Sequence, residues 1–224
     1  MAYAITDSDT LLAHPASERP RSAGFTGSPV VAIATAAVIV GLLFWSNATQ
    51  PLPALGWAAA FLAVAVHQDV TRLKIPNWLT LPALLCALSA AGITGGATAL
   101  ATSLLGAFTA LAILFIPFTL GWLGAGDVKA LLVLGALWGS ASLVGALWWM
   151  IISGGLLAVV VITVQGGLGE MLRRWFNSAR FSLQCRQIVY FGPPADSAAR
   201  AGLPFAVAMG FGAAAFQIWG SPWM

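Results

Sequence analysis

The stretch ATALATSLLGAFTALAILFIPFTLGWLGAGDVK, from Ala97 to Lys129, decides the fold. Positions 97–121 of it carry no charged side chain. A helix needs roughly 20 apolar residues to cross the hydrocarbon core of a bilayer. Residues 97–121 therefore read as a membrane span, and directly beyond it stands Gly124-Ala125-Gly126-Asp127-Val128-Lys129. That string sets a carboxylate behind two glycines at the edge of apolar sequence. Acids are scarce in the chain: the seven are Asp7, Asp9, Glu18, Asp69, Asp127, Glu170 and Asp196. Only Asp69 and Asp127 flank strongly apolar spans closely. An ionisable group at such a boundary is costly, which makes both candidate site residues. Gly124 and Gly126 permit unusual dihedrals and the approach of a substrate strand without a Cβ clash.

Outward from that stretch, the composition agrees. Of 224 residues 59% are hydrophobic and 8% charged, and the mean hydropathy is +0.89. Soluble domains carry about 25% charged residues, so the chain is an integral membrane protein. Its sequence pI of about 9.3 reflects ten Lys and Arg. These are too few to flank several spans and also form a nucleic-acid surface, so their distribution reads as topology. Cys86 and Cys185 have no Cys-x-x-Cys spacing and suggest neither zinc nor a disulfide framework. The first 28 residues are polar, with acids before the arginines, and read as a flexible tail, His14 included, rather than a signal peptide.

The predicted architecture is all-α, a bundle of about seven spans at 29–46, 52–68, 78–94, 97–121, 128–139, 141–165 and 203–219. The apolar runs are long and lack the period-two alternation of a membrane barrel. Gly95-Gly96 marks one loop, and Trp138-Gly139-Ser140 turns 128–165 into a tight hairpin. Pro117 is expected to kink its span. With the tail in the cytoplasm, the inside loops are 1–28, 69–77, 122–127 and 166–202. Arg19, Arg21, Arg72, Lys74, Arg173, Arg174, Arg180, Arg186 and Arg200 all lie in them, and Lys129 lies at a loop's edge. The outside loops at 47–51, 95–96 and 140 hold no basic residue, a consistent positive-inside pattern. Asp69 and Asp127 then fall on the cytoplasmic side at similar depth. Residues 168–191 interleave arginines with Trp175, Phe176, Phe181, Ile188 and Tyr190. They read as an interfacial helix drawn to anionic headgroups, against the alternative of a solvated basic loop.

Two carboxyls that approach closely cannot both ionise easily, so one holds a proton while the other stays charged. The charged one takes a proton from water and the protonated one donates to a carbonyl oxygen. A peptide bond can be hydrolysed this way without a side-chain nucleophile, metal or cofactor. Competing chemistries are thin. There is no His-Glu-x-x-His and no Gly-x-Ser-x-Gly, and His14 and His67 cannot form a metal cluster alone. Gly124-Ala125-Gly126 lacks the further context of a dinucleotide loop. Plainer roles are also open: Asp127 as an N-cap, Asp69 paired with Arg72 or Lys74, and His67 as an interface neighbour.

Asp69-Val70-Thr71-Arg72-Leu73-Lys74-Ile75-Pro76-Asn77 resembles the first aspartate motif of the type IV prepilin peptidases, in which an Asp closes a span and Ile-Pro-Asn opens the next. Gly124–Lys129 is similar to that family's Gly-x-Gly-Asp motif. Leu203-Pro204-Phe205 looks like its Pro-Tyr signature with Phe in place of Tyr. The resemblance covers about 52–219 and runs in the family's order. It implies an aspartyl endopeptidase of the bacterial cytoplasmic membrane, needing no cofactor or metal, that cuts the short basic leader from prepilins and pseudopilins. It implies Asp69 and Asp127 as the catalytic pair and Gly124, Gly126, Lys129, Arg72, Pro76, Asn77 and Pro204 as supporting motif residues. Many bacterial members add a cysteine-bearing N-terminal domain and N-methylate the new terminus. That domain is missing between the first two spans, so methylation is not expected, and the shorter form looks more like the peptidases of tight-adherence (Flp) pili or the archaeal preflagellin peptidases. The span within 29–51 is additional to a six-helix core, and 220–224 is a short tail. Two other classes stay open: a transporter using Asp69 and Asp127 for protons or cations, and a pilin-binding assembly factor that does not cut.

Overall fold

The computed structural model describes residues 28–45, 52–164, 167–185, 203–221 and 223. Among them are six helices and no strand: α1 (Pro29–Trp45), α2 (Leu52–Arg72), α3 (Asn77–Thr119), α4 (Ala125–Val164), α5 (Leu168–Cys185) and α6 (Phe205–Trp219). The all-α bundle expected from the apolar runs is what forms. α3, α4 and the Pro53–Arg72 part of α2 are long and apolar enough to cross a membrane. α1 and α6 are shorter apolar helices. The predicted tail, apart from Ser28, and the 186–202 part of the predicted basic loop lie outside the described residues.

α3 and α4 are each a helical hairpin. Ala87 and Ala107 share one buried cluster, although 20 residues of straight helix would separate them by about 30 Å. The chain folds back at Gly96, whose φ of 64° suits a residue without a Cβ. In α4 the reversal is at Gly139, with φ 75°. Asp127 shares a cavity with Leu203, while a Cβ at Gly154 would lie 3.6 Å from the Phe205 ring. A straight helix would hold Asp127 and Gly154 about 40 Å apart. Both reversals fall at the glycine turns expected from sequence, and α3 and α4 each cover two predicted spans. Pro117, expected to kink its span, lies two residues before the end of α3, whose non-helical backbone is at Gly96. The Pro117 carbonyl accepts the Trp122 N–H at 2.9 Å and closes the turn that follows.

Small residues let the helices meet. A Cβ on Gly106 would strike the Gly135 carbonyl, and one on Gly135 the Gly106 carbonyl. Beside them the Ser103 hydroxyl donates to the Ala136 carbonyl at 2.6 Å. Helix association in a bilayer rests on such close contact and on interhelical hydrogen bonds, because lipid is as apolar as leucine. Gly212 meets the Met150 backbone in the same way. α6 is buried along most of its length, from Ala206 to Gln217. Its N-terminus is thereby held at a set place among α2 and α4. Large apolar side chains such as Phe108, Phe115 and Ile151 face outward.

Candidate active site

Asp69 lies in the last turn of α2 and is only 5% exposed. Its carbonyl accepts the Leu73 N–H at 2.8 Å, and Leu73 takes a positive φ of 50°. The chain then runs through Ile75 to Pro76, which caps α3 with extended backbone. The Asp69 carboxylate Oδ2 accepts the Ala206 N–H at 2.8 Å. Asp69 thus caps the start of α6 from 137 positions away. The negative end of its own helix disfavours its charge, and the positive end of α6 offsets that.

Asp127 stands at the third position of α4. Gly124 accepts the N–H groups of Asp127 and Val128 at 3.1 and 3.2 Å, and its own N–H donates to Asp127 Oδ2 at 3.2 Å. This is the reciprocal arrangement of a capping box, with glycine at the cap. A Cβ on Gly124 would lie 3.1 Å from that oxygen. At Gly126 a Cβ would lie 3.3 Å from the Ile75 backbone. Gly126 therefore seats the start of α4 on the loop that follows Asp69. The glycine expected to admit a substrate strand admits the chain's own Ile75. Lys129 Nζ donates to Asn77 Oδ1 at 2.8 Å and ties α4 to the start of α3.

Both aspartates line one open cavity of about 630 Å³. Arg72, Pro76, Asn77, Gly124, Gly126 and Lys129 line it as well. Pro204 does not: it is buried at the N-cap of α6 and faces a separate apolar cleft. Among the described residues no lysine or arginine forms an ion pair with either carboxylate, so the pairing of Asp69 with Arg72 or Lys74 is not made. His67 lies outside the cavity lining. The donor that sequence reasoning missed is the Ala206 N–H, a backbone group with no residue signature. The Pro204 that precedes it was the available signal. Chemically, the cavity offers two carboxylates, each holding one backbone donor, with basic side chains around them and room for an extended peptide.

Residues 56–159 match the model of the type IV leader peptidase family. No curated protein and no solved structure matches the chain. The matched stretch runs from α2 through both hairpins and contains Asp69, the Ile75-Pro76-Asn77 loop and Gly124–Lys129.

Proposed function

We propose that the protein is a membrane aspartyl endopeptidase that removes the short basic leader from prepilins or pseudopilins at the cytoplasmic membrane face. The match of residues 56–159 to the type IV leader peptidase family supports a leader peptidase role. The observation that carries the mechanism is that Asp69 and Asp127 open into the same cavity, each with backbone donors and no paired cation. One carboxylate takes a proton from water as its oxygen attacks the scissile carbonyl, and the other, protonated, donates to the carbonyl oxygen. Collapse of the tetrahedral adduct breaks the C–N bond. The first carboxyl then gives its proton to the leaving amine, and the second recovers one from the new acid. The aspartates titrate as a pair, so neither role belongs to one of them at rest. Arg72, Lys74 and Lys129 also line the cavity, and like-charge repulsion keeps a basic leader away from that part of its wall. The short form, without a cysteine-bearing domain between the first two spans, favours substrates of the tight-adherence type.

The test is co-expression with a prepilin from the same genome, reading the pilin's mass. Wild-type protein shortens the pilin by its leader, whereas Asp69→Asn and Asp127→Asn leave it full length. An unshifted pilin with wild-type protein present in the membrane sinks the peptidase assignment. The transporter alternative places carboxylates near mid-membrane at broken helices. Here they sit at helix ends, while the breaks are at Gly96 and Gly139. Proton uptake by proteoliposomes, abolished by the same two substitutions, would favour the transporter instead.

A further inference from the structure

We propose that α5 lies in the plane of the bilayer surface at the aspartate end of the bundle, its apolar face in the acyl boundary and Arg173 and Arg180 on anionic lipid headgroups. At 3.6 residues per turn, Leu168, Leu172, Trp175, Phe176, Ala179 and Leu183 share one face. Arg173 and Arg180 border that face on one side, while Glu170, Arg174, Asn177 and Gln184 lie on the opposite half, and the Arg174 Nε and Nη1 are buried against the protein. Phe181 falls on the polar side. No described residue covers the apolar face: Leu172 is 55% exposed, Trp175 61%, Phe176 63% and Leu183 81%. An exposed apolar face of this size marks an interaction surface.

Three observations choose lipid as its occupant. First, the surface is continuous with the exposed apolar flank of a helix long and apolar enough to cross a membrane. Val159, Val160 and Val164, at the end of α4, are exposed. Only residues 165–167 separate Val164 from Leu168, and three residues reach about 10 Å. α5 therefore starts at the membrane boundary. Second, the charge is complementary to an anionic surface: residues 168–185 hold three arginines and one glutamate, a net +2 (3 − 1). Third, the Arg180 guanidinium lies 5.6 Å from the centre of the Phe176 ring. This holds the cation at the edge of the apolar face, as in a side chain that buries its stem and keeps its head in the headgroup layer.

The level of α5 relative to the site is given by a second cleft, of about 560 Å³, which Val70, Val164 and Pro204 line together. Val70 follows Asp69, and Pro204 lies two residues before Ala206, its hydrogen-bond donor. α5 thus leaves α4 level with the Asp69–Ala206 joint and sets the bilayer surface at the height of the aspartates. The lipid contact stands without the peptidase assignment. Its consequence for substrate depth rests on that assignment.

The test uses full-length protein in nanodiscs, with Cys86→Ala and Cys185→Ser as background. A fluorophore is placed through Leu183→Cys or Asn177→Cys. Folding is checked by elution as a single species. In phosphatidylcholine discs containing phosphatidylglycerol, the 183 probe should be quenched by brominated acyl chains and shielded from iodide, and the 177 probe should behave oppositely. Replacing Arg173 and Arg180 by Gln should lower the docked-to-undocked ratio about fivefold per arginine and remove most of its dependence on phosphatidylglycerol and on salt. Equal iodide quenching at both positions overturns the proposal, as does shielding of 183 from both quenchers, which would mean a protein covers the face. A phosphatidylglycerol effect that survives the double replacement undiminished overturns the role of these two arginines. None of these readouts depends on cleavage.

Discussion

At the scale of single residues, Asp69 does two jobs that separate cleanly by substitution. Its carboxylate faces the cavity and also caps α6 through the Ala206 N–H. Asparagine keeps an oxygen for that donor and loses the acid–base chemistry proposed for the pair. Asp69→Asn should therefore hold the wild-type melting temperature in detergent while cleavage falls at least about 10²-fold. Asp69→Ala should lose cleavage and also about 1 kcal/mol of stability, the usual cost of an unmade cap. Asp127→Asn should behave as Asp69→Asn does, because an asparagine oxygen still accepts the Gly124 N–H. A working pair needs one acid and one base, which fixes the shape of the rate profile. Cleavage should fall at low pH, where both carboxyls are protonated and no base remains. It should fall again at high pH, where both are ionised and no acid remains. A rate that is flat across the acidic range, measured on a detergent-solubilised pilin, would rule out a shared proton. Lys129 and Asn77 were named from motif likeness alone. Their 2.8 Å hydrogen bond gives that likeness a physical content, since it ties the two aspartate-bearing segments together.

At the scale of elements, the hairpins depend on glycine in two different ways. Gly96 and Gly139 supply positive φ at the reversals, a conformation that costs an L-residue about 1–2 kcal/mol. Gly106 and Gly135 supply absence of bulk where α3 and α4 meet backbone to backbone. The opposing atom at each is a carbonyl that cannot swing aside. Gly135→Leu should thus lower stability by about 1–3 kcal/mol. It should also impair cleavage, because the start of α4 carries Asp127. Gly41→Ala in α1, where an added Cβ meets nothing within 4 Å, should be neutral or slightly stabilising in the same thermal assay. The reversals were legible as glycine turns between apolar runs. The Gly106–Gly135 crossing was not, because either glycine could equally have faced lipid in the sequence pattern.

At the scale of the whole molecule, the hairpins bring the Asp127 end of α4, the Asp69 end of α2 and the start of α6 to one side, with the Gly96 and Gly139 turns away from it. With the aspartates on the cytoplasmic side, single cysteines at Thr94 and Ala141 should react with a membrane-impermeant maleimide in intact cells. Cysteines at Lys74 and Ala125 should react only after permeabilisation. Labelling of all four from outside would contradict the orientation. The amino-acid sequence by itself determined the helical class, the positions of the glycine reversals and the two carboxylates that share a cavity. These follow from the length of apolar runs, the placement of scarce charges and local motifs, all properties of neighbouring residues. Only the tertiary structure decided that Asp69 caps α6, that Gly126 seats α4 on Ile75 and that Pro204 turns away from the aspartates. Each of these joins segments far apart in the chain, through backbone groups that every residue carries alike. No residue type announces them, and the packing of α6 among α2 and α4 selects which ones meet.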